Sequence, residues 1–347
     1  MSTVLVTGGA GYIGSFAVRT LSAAGHQVVV YDSLAQGHRE SVDRLNAAAP
    51  AGRAPIELVI GDIRDRAQLR EIMESRRVDG VMHFAAWLLV GESVKDPISY
   101  YDNNVGGALA VLGAMADAGV RALIFSSTAA TFGEPVQVPI DEDHPQRPIN
   151  PYGETKLAIE RALPHFERAY GIRSVSLRYF NAAGADPDGI LGEDHRPEIH
   201  LIPRALDALQ GGEPFAIFGD DYPTPDGTCL RDFVHVVDLA EAHLLALGHL
   251  LSGGTSRAYN LGNGQPFSVR QVLDTIERVT GRAVPHTVGP RRPGDPAVLY
   301  AANDRIRREL GWRPQFADLQ TIVDTAWQWR RRHPNGYGAA PAHGSTA

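Results

Sequence analysis

The sequence predicts an α/β fold of Rossmann type, a doubly wound parallel sheet followed by a smaller C-terminal α/β substrate unit. Three observations carry this. Short apolar runs rich in β-branched residues alternate with amphipathic helical stretches, the pattern of a parallel sheet covered on both faces. The first run ends in clustered glycines that open the first helix. An aspartate closes the second run, where a dinucleotide-binding fold places its ribose acceptor.

Thr3 to Thr7 is a buried strand by its apolar, β-branched content. Ile13 to Ala24 carries apolar residues at helical spacing, and Gly25 stands where a C-cap glycine is expected. His26 to Tyr31 is the second strand, ending at Asp32, and Ile56 to Ile60 the third, followed by Gly61-Asp62. Arg64 to Arg77 reads as an amphipathic helix, Val78 to Ala86 as a strand and Asn103 to Gly119 as a helix. Arg121 to Phe125 is a strand running into Ser126-Ser127-Thr128; Tyr152 to Tyr170 is helical, and Ser174 to Tyr179 is a strand again. Right-handed crossovers put ligands at the carboxyl ends of these strands. Residues 1–180 are thus expected to form the dinucleotide unit. Beyond Asn181 turn residues accumulate, with a loop from Asp186 to Pro197, a short helix from Leu201 to Gln210 and a turn-rich stretch from Phe215 to Gly227. Residues 181–330 are expected to form the second unit, with a segment near 236–262 (helix Asp238 to Leu251, strand Ala258 to Leu261) returning to the main sheet. Residues 333–347, rich in Ala, Gly, Pro and His, predict a disordered tail.

The 347 residues are 44% hydrophobic and 21% charged, which excludes intrinsic disorder. At about 150 residues per domain, two units are expected. A net charge of −7 excludes a whole-chain basic field for nucleic acid and leaves room for a local basic pocket. Cys229 is the single cysteine, so an internal disulfide and a multi-cysteine zinc site are excluded. No apolar run reaches ~18 residues, and the N-terminus lacks a signal-peptide pattern. A soluble, cytoplasmic protein without a membrane partner is expected.

Gly8-Gly9-Ala10-Gly11-Tyr12-Ile13-Gly14 is a G-x-x-G-x-x-G run between strand and helix. A diphosphate must approach backbone amides closely there, and a helix N-terminus offers free N–H groups and partial positive charge. Side chains at Gly8 or Gly11 would block that approach, and one at Gly14 would disturb helix–strand packing. A tight turn alone would also use glycines, but Asp32 selects the cofactor reading. Its carboxylate accepts from both ribose hydroxyls and repels a 2′-phosphate. Ser33, not arginine, follows it, so NAD is expected over NADP. Asp62 is placed either to meet the adenine edge or to cap the helix from Arg64.

Tyr152 and Lys156 stand four apart on a helical stretch and share a face. Alone, this would be a surface pair. Beside Ser126-Ser127-Thr128 it forms a hydride-transfer site. A lysine ammonium and a positive nicotinamide ring stabilise a phenolate otherwise formed near pH 10. Thr128 can hold the substrate hydroxyl in line.

Thr7 to Ser15, Asp32, His83-Phe84-Ala85-Ala86, Tyr101-Asp102-Asn103-Asn104-Val105, Tyr152/Lys156 and Leu177-Arg178-Tyr179-Phe180-Asn181 together resemble the extended short-chain dehydrogenase/reductase superfamily. Within it, Gly192-Glu193-Asp194-His195, the run from Asp226 to Val236 and Arg291-Arg292-Pro293-Gly294-Asp295 are similar to the UDP-glucose 4-epimerase family. The resemblance reaches residue 330. It implies a tightly bound, recycled NAD and an isomerisation with no net redox change. Tyr152 takes the 4-hydroxyl proton as carbon 4 gives up hydride. The 4-keto sugar turns over while its diphosphate stays held, and both are returned on the other face. Binding should concentrate on the UDP part of the UDP-sugar.

The resemblance further implies cofactor contacts from Gly8, Gly11, Tyr12, Ile13, Gly14, Asp32, Ser33, Asp62, Ile63, Phe84, Ala85, Ala86, Asn103, Tyr152, Lys156, Tyr179 and Phe180. It implies that Arg231 and Arg292 hold the diphosphate as guanidinium forks, Asp295 the uridine ribose and Asn181 the diphosphate or sugar. His200 and Leu201 lie near the diphosphate entry, Ala216, Ile217 and Phe218 flank the uracil, and Leu299 gates the sugar. A homodimer through the helices Asn103–Gly119 and Tyr152–Tyr170 is a family expectation. Simpler roles compete: Arg231-Asp232 as an ion pair, Asp238 as a helix N-cap, His235 as a structural histidine. Glu193, Asp194, His195 and His200 match no common metal spacing, and no metal is expected.

Three positions depart from relatives. Thr128 replaces a serine, Leu88 a lysine near the cofactor and His200 an asparagine. Leu299 is intermediate between the bulky and small gates of the family, so N-acetylated UDP-sugars are expected to fit; UDP-xylose/arabinose stays open. A nucleotide-sugar 4,6-dehydratase needs an acid and base after the threonine, where this chain has Ala129-Ala130. A non-catalytic NAD sensor would need neither Tyr152 with Lys156 nor the second-unit arginines.

Overall fold

The structure, a computed structural model, describes residues 1–292 and 295–338. The elements in chain order are β1 (Thr3–Thr7), α1 (Tyr12–Ala23), β2 (Gln27–Asp32), α2 (Arg39–Ala47), β3 (Glu57–Ile60), α3 (Arg66–Ser75), β4 (Gly80–His83), α4 (Val90–Lys95) and α5 (Pro97–Tyr100). There follow α6 (Gly107–Ala118), β5 (Ala122–Thr128), α7 (Pro151–Tyr170), β6 (Arg173–Tyr179), β7 (Asn181–Ala183), α8 (Leu201–Leu209), β8 (Phe215–Phe218) and β9 (Leu230–His235). The last are α9 (Val236–Leu251), β10 (Arg257–Leu261), β11 (Pro266–Ser268), α10 (Val269–Thr280), β12 (His286–Gly289), β13 (Val298–Leu299), α11 (Asp304–Leu310) and α12 (Leu319–Arg332).

Seven strands form one parallel sheet in the order β10-β6-β5-β4-β1-β2-β3. The pleat explains why β1 is apolar on both faces from Val4 to Val6. Val4 and Val6 face the layer holding Phe16 of α1 and Leu247 of α9, while Leu5 faces the layer holding Leu69, Leu112 and Leu163. Both faces are therefore covered. The order reverses between β1 and β4, and a crevice opens beyond their carboxyl ends.

The second layer of chain builds a small sheet from β7, β9, β11 and β13 and a ribbon from β8 and β12. Its own core is Ile202, Leu206, Val272, Ile276, Ile322 and Val323. Between these parts the chain recrosses: α9 packs on α1, and β10 pairs with β6 at the edge of the main sheet.

Several local readings are corrected. The helix from Asn103 starts as a π-helical turn over Tyr101–Gly106 before α6. The helix from Arg64 begins at Arg66, and Asp65 rather than Asp62 caps it through the Gln68 N–H. The strand assigned to Val78–Ala86 is confined to β4. Asp238 is not the cap of α9; His235 is, accepting from the Val237 N–H. Buried Asp238 instead accepts from the N–H groups of Gln315 and Phe316 and fastens the α11–α12 connection. The tail reading fails for residues 333–338. Tyr337 is buried, stacks on His38 at 5.0 Å and takes a bond from its own N–H to Asp194 Oδ2 at 2.9 Å. Residues 339–347 lie outside the described part.

Candidate active site

A cleft of about 660 Å³ opens at the carboxyl ends of β1, β2, β4 and β5. Its floor is the glycine turn. Gly11 caps α1 without any side-chain bond, so the first N–H groups of the helix face the cleft. Gly8 sits at φ +73°, and a Cβ there would come within 2.5 Å of the Ala85 nitrogen. A Cβ on Gly14 would lie 2.1 Å from the Gly8 carbonyl oxygen. Close approach thus demands glycine at both positions for different reasons, one conformational and one steric.

Asp32 closes β2 at the cleft wall. Its Oδ2 accepts from Ala10 N–H at 3.0 Å and its Oδ1 from Leu34 N–H at 2.8 Å. Burial raises its pKa and the backbone donors oppose the shift. One lone pair on each oxygen remains for a diol. Asp62 is also on the wall, bound by the Arg64 guanidinium, which holds its pKa below the usual carboxylate range. A cleft lined by a free helix N-terminus, two obligate glycines and a buried carboxylate fits a dinucleotide.

Across the cleft lie Thr128, Tyr152 and Lys156. Asn150 caps α7 by accepting from Gly153 N–H, and Pro151 fills the first turn. That start places Tyr152 and Lys156 on the face turned to β5. Lys156 Nζ donates to the Ser126 carbonyl at 2.9 Å and not to the phenol. Burial pushes the Lys156 pKa down to about 7 and the Tyr152 pKa up to about 12; a side-chain hydrogen bond with Thr128 partly offsets the latter. The expected lowering of the phenol by Lys156 is therefore not a property of the protein alone. It needs the further cation that a nicotinamide ring brings.

The Lys156 shift has a stability consequence. Its folded pKa lies below the ordinary 10.5, so between about pH 7 and pH 10 the unfolded chain binds the extra proton. Stability contributed at this site rises with pH across that window. Thermal melts at pH 7 and 9 without added NAD should show a larger rise for the wild type than for Lys156→Met; equal slopes would refute it.

The remaining assigned residues divide into two groups. Gly8, Gly11, Tyr12, Ile13, Gly14, Asp32, Ser33, Asp62, Ile63, Phe84, Ala85, Ala86, Asn103, Tyr179, Phe180, Asn181, His200 and Leu299 all line the cleft. The Tyr12 hydroxyl, however, donates to Gly184 O at 2.6 Å. Leu201, Ala216, Ile217, Phe218, Arg231, Arg292 and Asp295 stand outside the cleft lining. Ile217 is buried in the second core and offers no surface to a base. Arg231 pairs with Asp295 and not with Asp232, which is buried and accepts from the Ala301, Asn263 and Gly264 N–H groups. The Arg292 guanidinium lies 3.7 Å above the Phe218 ring. His235 is bonded to Thr325 and stacked on Phe316.

Gln36, Trp87 and Ile199, which the sequence did not single out, complete the wall together with Leu88, Ser126, Ala130 and His195. Buried Asn104, in the π turn, accepts from Trp87 N–H and donates to Trp87 O and Thr155 Oγ1. It ties the Trp87–Leu88 wall to the helix carrying Tyr152. The Ser126 hydroxyl bonds the Tyr179 hydroxyl.

The sequence model of the NAD dependent epimerase/dehydratase family matches residues 4–262. The chain belongs to that family. It is 50% identical over 337 residues to the UDP-glucose 4-epimerase of Lacticaseibacillus casei, covering 97% of this chain and 99% of that protein. The crystal structure of UDP-glucose 4-epimerase from Brucella ovis in complex with NAD superposes with a TM-score of 0.90 at 48% identity, over 94% of this chain and 98% of that one. The UDP-glucose-4-epimerase of Stenotrophomonas maltophila, with bound NAD and formylated UDP-arabinopyranose, gives 0.92 at 42% identity, over 96% and 99%. The doubly wound sheet of this epimerase/dehydratase family member is the fold those structures share.

Proposed function

We propose that the chain is an isomerase, a UDP-glucose 4-epimerase that uses NAD to interconvert UDP-galactose and UDP-glucose. The observation that carries the reading is the convergence of Tyr152, Thr128 and Lys156 on a cleft shaped for a dinucleotide. NAD, when bound, supplies a reversible hydride acceptor. Tyr152 receives the proton of the sugar 4-hydroxyl and returns it, and Thr128 holds that hydroxyl toward the phenol. Lys156, fixed by the Ser126 carbonyl, lends positive charge beside the phenolate. Arg231 and Arg292 are assigned to the diphosphate, Asp295 to the uridine ribose, Asn181 to the diphosphate or sugar and His200 to the diphosphate entry; Arg231 pairs with Asp295 and Arg292 lies over Phe218. Ala130 on the cleft wall and buried Ala129 transfer no proton, which disfavours dehydration. Purified protein given UDP-galactose without added NAD should form UDP-glucose; no product, with NAD retained, would reject the assignment.

Leu299 lies on the cleft wall against the Phe132–Ile140 cluster. Modest turnover of UDP-GlcNAc is expected, and its absence at saturating enzyme would show that the gate is closed to the acetamido group. The half-exposed Tyr101 and Leu109, with exposed Ile98, support a homodimer built on the π turn, α6 and α7; light scattering should give twice the chain mass. Among the described residues no helix is long and apolar enough to cross a membrane. A nucleotide-sugar substrate and a single cysteine are in keeping with work in the cytoplasm.

A further inference from the structure

The loop before α8 carries four side chains, three of which no step of the proposed reaction uses. Glu193, His195, Glu198 and His200 each offer a donor atom, and all four lie within 4.8 Å of one another. His195 Nδ1 is 3.0 Å from Glu193 Oε1 and 3.9 Å from Glu198 Oε2. His200 Nδ1 is 2.6 Å from Glu193 Oε1 and 3.2 Å from Glu198 Oε1. Each imidazole therefore faces both carboxylates. Around a tetrahedral ion with bonds of about 2.0–2.1 Å, neighbouring donors stand roughly 3.3 Å apart, inside the range these contacts span.

Charge points the same way. The Glu193 and Glu198 side chains are only 6% and 9% exposed. Among the described residues no lysine or arginine pairs with either; Arg196 goes to Asp194 instead. Two nearly buried carboxylates require positive charge. One divalent cation held between them neutralises both carboxylates.

The surrounding contacts hold the donors in place. Glu198 Oε1 accepts from the N–H groups of Ile199 and His200, both at 2.8 Å. Trp329 Nε1 donates to the Glu193 carbonyl at 3.2 Å, and Tyr12 meets the His195 ring edge-on at 5.9 Å. Such outer contacts orient metal ligands. The sequence reading grouped Asp194 with the histidines, but Asp194 points away to Tyr337; Glu198 takes that place.

We propose that Glu193, His195, Glu198 and His200 bind one divalent first-row transition-metal ion, Zn²⁺ by preference, which cross-links the 193–200 loop within itself. Mixed imidazole and carboxylate donors without thiolate suit such an ion. The proposal does not depend on the epimerase assignment. Tag-free protein with its bound NAD would be equilibrated with Zn²⁺ against a chromophoric chelator, desalted and assayed for metal by mass spectrometry. About one Zn²⁺ per chain and a raised melting temperature are expected. His195→Ala and Glu198→Gln should each weaken binding on the order of tenfold or more, with circular dichroism unchanged. Wild-type protein that emerges without zinc overturns the proposal whatever the variants do, as does full zinc content in the His195→Ala/Glu198→Gln double variant.

Discussion

Tyr152→Phe should lower kcat for UDP-galactose by about 10³-fold, within the 10²–10⁴ range for loss of a positioned acid–base group, while NAD stays bound. The phenol is the only cleft group assigned both to take and to return the proton, whereas the cofactor cradle is built from Gly8, Gly11, Gly14 and Asp32 on the opposite wall. The ring still fits, because the change removes one oxygen and its hydrogen bond with Thr128. Burial already holds the phenol proton firmly, with the pKa pushed up to about 12. Activity near neutrality therefore depends on positive charge brought against the phenol, by the oxidised nicotinamide first and by Lys156 second. Steady-state rates beside the amount of NAD released on denaturation check the expectation. A variant within tenfold of the wild type would remove Tyr152 from the reaction; a variant that loses NAD would make it a cofactor ligand instead.

What could be read in the sequence follows the range of the interactions. The turn from β1 into α1 is legible because its glycine spacing is local and the limit at Gly14 comes from Gly8 and Gly9, whereas the limit at Gly8 comes from the distant Phe84 and Ala85. Asp32 was legible because a fixed strand length carries the chain to it. Tyr152 and Lys156 were legible as a helical pair, but the Lys156 bond to the Ser126 carbonyl joins residues 30 apart and sets the charge balance differently. Asn104 belongs to the 101–105 motif, but its tie has no local signal, since its partners Trp87 and Thr155 are 17 and 51 residues away. The π turn was hidden for a similar reason: its apolar spacing is close to that of an α-helix. In the loop before α8, side-chain direction decides membership, and the direction separates Asp194 from Glu198. The second unit is the least legible in the sequence. The Arg231–Asp295 pair spans 64 residues, and Ile217 faces inward because the β8–β12 pairing sets its face.

Arg178→Met should destabilise the fold by roughly 3–5 kcal/mol, the cost of leaving a buried charge without its partner. Arg178 and Glu160 are 8% and 6% exposed and meet at 2.6 Å, with Arg178 Nε 3.0 Å from each carboxylate oxygen. The pair joins β6 to α7 directly behind the catalytic strand. Glu160 stands one helical turn beyond Lys156 and also accepts from Ser127 Oγ and Gln146 Nε2. Removal of the guanidinium thus strands a buried carboxylate one helical turn from Lys156. The melting temperature should fall by roughly 4–7 °C, and kcat should fall less than in Tyr152→Phe, because the reacting groups remain. Methionine at both positions should recover most of the loss, since a well-packed apolar pair is commonly as stable as a buried ion pair. Calorimetry on the two single variants and the double variant closes this cycle. A double variant as unstable as the sum of the singles would mean that each residue acts through other partners, and the pair would not be what aligns α7 with β6.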